Sequence, residues 1–412
     1  MHEYKMGYFV LAGKRKVTLN QKYFSSLELL GPDQALEPIG WSSLGQSLKN
    51  FIDRNQSHFS GKRIGVVIPD PTRDFHPRKT LRTLGEALKR QASRTEFIIA
   101  LGLHRRLSPK ALEAFLGRDF LGENRVYQHN LSSARPLGAV SGVPVSFNPR
   151  LLSYDVFFTV GVVEPHLYGG FSGGVKGIAI GLAGKETILK THSVAYLSQA
   201  AVRAGNIGTN PFQRFLWGAV AQLDRPVYSI NLVNNGKKEM VGYTVGKARP
   251  AFREAVAIAR NVFACPVEGE FDALLVGCDY PKDQSLYQSS RLFNYLLEGK
   301  RLLRRGGAIV VFAGLKDSWK SQAEKNFEAA LRRKSLPAWY AFAKPGEHRA
   351  FKVLDAAHSA RLCLVTANPP EGTMSALTVL PNQRAACKWI DETYGAAARI
   401  GVIPAGFSFL AV

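Results

Sequence analysis

A chain of 412 residues is longer than one ordinary compact domain, so two or three domains are expected. Hydrophobic residues make up 46%, enough for a sizeable core, and no apolar run reaches the roughly 18 residues of a membrane span. The formal charge of +22, from 54 Lys and Arg against 32 Asp and Glu, draws anions, yet neither zinc-finger spacing nor an RNA-recognition signature accompanies it.

The opening residues alternate apolar and polar side chains like a strand and lack the apolar core and cleavage site of a secretory signal, so a soluble, cytoplasmic protein is expected. Apolar runs at 63–68, 96–101, 156–162, 271–276 and 308–312 read as buried parallel strands. Helical patterns alternate with them at 79–91, 108–115 and 289–304. The alternation predicts two α/β domains with mainly parallel sheets. Residues 265–270 interrupt a helical stretch before the strand at 271, which predicts a cofactor-binding and catalytic domain over 1–267 and a second α/β domain over 268–412. The last residues of the second domain are candidates to pack back on the first. Basic clusters at 300–305 and 332–334 read as solvated faces in or beside helices. Cys265, Cys278, Cys363 and Cys387 have no CxxC partner and read as isolated buried thiols.

Polar stretches follow the predicted strand ends, where open α/β sheets bind ligands. After the strand ending at Ile68 come Asp70, Thr72 and Arg73. Arg73 offers a fork of donors suited to a carboxylate or phosphate, and Asp70 can orient it or bind a ribose hydroxyl. The same residues also suit a capped turn. His104, in Gly102-Leu103-His104-Arg105, can project from a strand end into a cleft and move a proton near neutral pH, or simply hold its loop. The stretch from Glu164 to Gly177 holds four glycines among residues 169–174, with His166 before them and Lys176 after. Such a loop lets backbone approach a ligand and can form an anion nest, or it can serve tight packing. It is neither a Walker loop nor a Rossmann fingerprint. His192 ends a short helical pattern and is a competent metal ligand, although no second ligand lies near it in sequence. Residues 279–291 place Gln288 and Arg291 after the strand at 271–276 of the second domain.

The order and spacing of these elements resemble the lactate racemase family. The family pattern runs D-x-T-R, G-x-H-R, H-x-x-x-G-[FY]-S-G-G-x-K, T-I-x-x-x-H and Y-P-x-D-x-x-x-Y-Q, and all five are present here in that order between about residues 60 and 310. The resemblance implies a racemase or epimerase that inverts the hydroxyl-bearing C2 of a small 2-hydroxy acid, with its active site in the cleft between the domains. It implies a nickel-pincer nucleotide, a pyridinium-3-thioamide-5-thiocarboxylic acid mononucleotide, tethered or held at Lys176. The cofactor's surroundings would include Asp70, Thr72, Ser172, Gly173 and Gly174, and its nickel ligand would be His192. His104 and His166 would be the acid/base pair, and Arg73, Gln288 and Arg291 would meet the substrate. Hydride would pass reversibly between substrate and cofactor, and separate maturation proteins would make the cofactor. Neither nucleic acid nor membrane is implied as a partner.

The sequence departs from the family's common pattern at Val175, Ile180, Gln128-His129-Asn130 and Arg291, which leaves open the particular 2-hydroxy acid and the covalent link. The residues also fit a 2-hydroxy acid dehydrogenase or lyase starting from the same hydride step. A non-catalytic module for anions or nucleic acid is a third reading.

Overall fold

The computed structural model describes residues 8–19, 23–32, 36–73, 75–317, 320–333, 344–372 and 374–412. Asp74, Lys334 and the first residues of the alternating N-terminus lie outside them. The chain divides into two compact units, one made of Gln34–His192 and Gln199–Val262, the other of Met1–Asp33, Ser193–Ser198 and Phe263–Val412.

The first unit is built on a six-stranded sheet. Its strands run Met240–Lys247, Val227–Asn234, Val156–Val162, Arg63–Pro69, Arg94–Ala100 and Arg125–Gln128, in that spatial order. All neighbouring pairs are parallel except the hairpin of 227–234 with 240–247. Every residue of the central strand 156–162 is buried, which is why that stretch is continuously apolar rather than alternating. Helices Trp41–Arg54 and Pro77–Leu88 place Leu44, Leu48, Ile52, Leu81 and Leu84 into a core shared with Ile64, Val66, Phe97 and Phe158. Burying each such side chain stabilises the fold by about 1.5–3 kcal/mol. Ser108 caps the helix Pro109–Leu116 by accepting from the Ala111 N–H at 3.2 Å.

The second unit holds an eight-stranded, mainly parallel sheet around the strand Phe271–Asp279. That strand pairs in parallel with Leu303–Phe312 and Arg399–Ile403, and at its end with Phe9–Gly13. The N-terminal strands therefore belong with the C-terminal sheet, which departs from the division expected at 1–267 and 268–412. The cause is edge pairing: Phe9–Gly13 and Arg15–Thr18 form a hairpin, and Val10 is buried among Ala273, Leu275 and Val310. Ser26–Leu29 pairs with 399–403. The terminal pair Leu410–Ala411 lies beside Ala264–Cys265, within this same unit.

The helix expected over 289–304 is shorter. Two helical pieces, Leu286–Ser289 and Arg291–Leu297, are followed by Gly299 at φ +120°, and the strand begins at Leu303. A left-handed glycine halts the helix, and two of the basic residues then pair on or beside the strand, Arg301 with Glu270 and Arg304 with Asp272. All four cysteines are free and buried.

Candidate active site

Three adjacent parallel strands, 94–100, 63–69 and 156–162, deliver His104, Asp70 and His166 just beyond their C-terminal ends. Tight turns follow, because the chain must leave the sheet without burying unpaired amides. At the end of 63–69 Asp70 is buried, and its Oδ1 accepts from the Thr72 N–H at 2.9 Å and the Thr72 hydroxyl at 2.5 Å. Its Oδ2 lies 2.5 Å from Nδ1 of the exposed His104. Burial by itself would raise the Asp70 pKa. The hydrogen bond and charge of His104, the Thr72 hydroxyl and nearby Arg73 outweigh it and hold the carboxyl well below the usual range. Asp70 is therefore an anion that fixes the proton of neutral His104 on Nδ1 and leaves Nε2 bare, which is the tautomer of a general base.

Arg73 donates from Nη1 to Glu164 Oε1 at 2.6 Å, with both side chains 22% exposed. A guanidinium has five N–H donors, so this pair leaves capacity for a second carboxylate. Glu164 precedes the short hairpin of Pro165–His166 with Gly170–Phe171. The hairpin buries His166 and turns the N–H groups of Tyr168 and Gly169 onto its Nδ1, at 3.2 and 3.1 Å. Two donors on Nδ1 require a lone pair there, so the hydrogen of neutral His166 sits on Nε2. His104 and His166 thus hold opposite tautomers, one an acceptor and the other a donor at Nε2.

The glycine loop is engaged by the chain itself. The Ser172 hydroxyl donates to Val162 O at 2.7 Å and accepts from the Glu164 N–H at 3.1 Å. The Gly174 N–H goes to Asn231 Oδ1 at 3.0 Å, and Gly174 O accepts from the Thr159 hydroxyl at 2.6 Å. A Cβ on Gly174, at φ +54°, would sit 2.9 Å from the Phe252 ring. Ser172, Gly173 and Gly174 therefore shape the loop, and the Gly174 amide is not an open nest donor. The loop leads into Lys176, which is partly buried at the start of the one-turn helix Lys176–Ala179.

His192 follows the helix Lys185–Thr191, and its Nδ1 donates to Ile188 O at 2.8 Å. The lone pair then lies on Nε2, and a backbone carbonyl holds the ring in direction, as is common in metal-binding imidazoles. Tyr168 stands between two histidines, its ring centroid 6.0 Å from His166 and 5.6 Å from His192. Among the described residues no three His, Cys, Asp or Glu side chains gather as a metal site. A metal at His192 would need its other ligands from a bound group, and a nitrogen donor with a fixed tautomer suits a nickel carried by sulfur ligands. His129 is different in kind. It is buried and spans Asn148 and Ala183 O, and burial lowers its pKa, so it is a neutral core residue.

Gln288 and Arg291 lie in the other unit, where Arg291 Nη1 approaches Gln288 Oε1 at 3.5 Å. Sequence reasoning assigned no role to Glu164, Tyr168, Gln213 or Asn231. Glu164 and Tyr168 flank His166 inside the glycine-rich element and were within reach of it. Gln213 and Asn231 carry no local signal, although Gln213 holds Gly169 O at 2.6 Å.

This is an open α/β fold whose polar side chains converge beyond the strand ends, where such sheets bind ligands. Residues 14–205 match the family model described as the lactate racemase N-terminal domain. The lactate racemase of Thermoanaerobacterium thermosaccharolyticum is 24% identical over 262 residues, which cover 62% of this chain and 61% of that protein. The lactate racemase of Lactiplantibacillus plantarum is 26% identical over 281 residues, 66% of this chain and 65% of that protein. These matches span less than two thirds of either relative's length. The lactate racemase apoprotein structure from T. thermosaccharolyticum superposes with a TM-score of 0.84 at 20% identity, covering 98% of this chain and 100% of that one. A Thermotoga maritima protein superposes at 0.70 and 16% identity, over 92% and 100% of the two chains. The two structures carry the fold, and the domain match and the two relatives make this chain similar to lactate racemases, most clearly over residues 14–205.

Proposed function

We propose that this protein is a racemase or epimerase acting on the hydroxyl-bearing C2 of a small 2-hydroxy acid, with a nickel-pincer nucleotide held by Lys176 and His192. The observation that carries the reading is the Asp70–His104 pair, an ionised carboxylate fixing a histidine with its bare Nε2 at a strand end. The C2 hydrogen beside an ionised carboxylate is barely acidic, so its removal as hydride avoids a carbanion. The nucleotide, when bound, supplies the hydride acceptor. His104 Nε2 takes the hydroxyl proton as the C–O double bond forms, and Asp70 stabilises the imidazolium that results. Arg73, steadied by Glu164, holds the substrate carboxylate so that the alcohol carbon stays in register. His166 presents Nε2–H to the substrate oxygen. For it to accept a proton from the opposite hand, its Nδ1 must first give up the Tyr168 and Gly169 amides.

The test begins with co-expression alongside the cofactor-making proteins and mass measurement under native and denaturing conditions. Added mass that survives denaturation and maps to Lys176 means a tethered cofactor. Added mass in the native state alone means a held one. The loaded protein is then given single enantiomers of lactate and larger 2-hydroxy acids. Appearance of the opposite hand is expected, with loss in His104→Ala. Net release of a 2-keto acid or of fragments would replace this reading by a dehydrogenase or lyase.

A further inference from the structure

Away from the strand ends, helices Pro211–Ala221 and Ala248–Phe263 of the same unit enclose a pocket of about 140 Å³. Arg214, Arg249 and Arg253 converge on it, with Trp217, Phe252 and Gln213. Arg214 donates to the carbonyl of Thr209 at 2.9 Å, and Arg249 lies over the Trp217 ring at 5.1 Å from its centroid. No carboxylate of the described residues pairs with any of the three guanidiniums. Some arginines elsewhere in the first unit do take acidic partners, as Arg63 does with Asp155 and Arg82 with Glu86.

Three exposed guanidiniums without a carboxylate partner line one small concavity, and an anion seated among them can accept forked hydrogen bonds from more than one of them. The aromatic lining adds a surface on which a guanidinium is already stacked. We infer that this pocket is a second ligand site, separate from the histidine site, which binds a phosphate group, either as pyrophosphate or as the phosphate end of a nucleotide. Two of its lining residues also support the glycine loop: Phe252 packs on Gly174, and Gln213 bonds Gly169 O and Phe171 O. An anion bound there rests on the supports of the loop and not on its catalytic side chains.

Calorimetric titration of the full chain, without cofactor, tests this with inorganic pyrophosphate and with AMP at about 0.15 M salt, where long-range surface attraction is screened. Saturable one-to-one binding is expected, weakened at least tenfold in Arg249→Ala/Arg253→Ala. It should be unchanged in Arg82→Ala/Arg118→Ala, which removes the same charge from a distant surface. Should the pocket double variant melt early, Arg214→Ala serves in its place. Tighter binding of AMP marks a nucleotide site, and equal or tighter binding of pyrophosphate marks recognition of phosphate alone. Either supports the inference. Absence of saturable binding by both probes, or equal weakening in the two double variants, overturns it. Binding that persists in the pocket variants places the anion elsewhere, and that also overturns it. None of these readouts depends on racemisation.

Discussion

Asp70→Asn isolates the group that makes His104 a base. In the native protein Asp70 accepts three hydrogen bonds, two from Thr72 and one from His104 Nδ1. The asparagine carbonyl oxygen can keep both Thr72 bonds, but its amide then faces His104 as a donor. The imidazole answers by moving its proton to Nε2, so that Nδ1 accepts. One charge-assisted bond worth about 1.5–3 kcal/mol is lost. Because the His104 side chain is 53% exposed, solvent screening reduces that to roughly 1 kcal/mol of stability. The fold survives, while the bare Nε2 disappears, and general-base catalysis of about 10²- to 10⁴-fold goes with it. The tautomer is read directly from the ¹⁵N shifts of histidine-labelled protein at about pH 9, above the ordinary histidine pKa. His104 is assigned by its loss in His104→Ala. A proton on Nδ1 is expected in the native chain and on Nε2 in Asp70→Asn. If both proteins show the same tautomer, Asp70 does not set it and the acid/base assignment fails, whatever the substrate proves to be.

Other expectations concern pH and packing. Burial pushes the Glu298 carboxyl up to about 7, against the pull of Lys352 at 2.7 Å and with a further push from Asp355. The folded chain then keeps a proton that an unfolded glutamate, with its ordinary value of 4.5, has lost. Stability from this group is present below about pH 4.5 and is lost as pH rises through about 7, roughly 3 kcal/mol in total. Urea unfolding across that range should show the decline, and Glu298→Gln should flatten it. A native profile already flat would contradict the assignment. Gly170 has φ +74°, and a Cβ there would overlap the carbonyl oxygen of Asn206. Gly170→Ala should therefore cost about 3 kcal/mol or more, as a drop in the urea midpoint, since backbone and not a flexible side chain must move. His192→Ala should abolish nickel retention on desalting while the chain still unfolds in one cooperative transition, because the ring is half-buried at a helix end and not in the core. Equal nickel content in both proteins would remove His192 as the ligand.

The parts legible in the sequence were those with a local physical signature. The run at 156–162 is apolar throughout because both faces are covered, and it forms the strand Val156–Val162. Ser108 before Pro109 announced a helix start through its cap. The rest depends on long-range pairing. Nothing in residues 9–18 says that their hairpin joins a strand some 260 positions away through Ala12 and Cys278. The Asp70–His104 contact spans 34 residues and Arg73–Glu164 spans 91, so neither pair could be chosen from spacing. The helix pattern through 289–304 failed because apolar periodicity continues past Gly299, where the backbone turns and the next residues enter the sheet.

The glycine-rich element shows why residue type alone leaves roles open. Four glycines in six residues suggested amides open to an anion, yet the fold uses that freedom for close approach: Gly170 against Asn206, Gly174 against Phe252. Two of the four amide donors are committed, that of Gly174 to Asn231 and that of Gly169 to His166 Nδ1. One of these commitments is chemically decisive. By filling Nδ1 of His166 with two N–H donors, the loop fixes the proton on Nε2, just as Asp70 fixes the proton of His104 on Nδ1. A backbone turn and a buried carboxylate thus assign opposite tautomers to two residues of the same type. In the proposed racemisation one histidine would accept a proton at Nε2 while the other donates there, and the difference in tautomer would supply that contrast. The tautomers reside in the partners of the histidines, Asp70 and the Tyr168 and Gly169 amides, and those partners cannot be chosen from residue type or spacing.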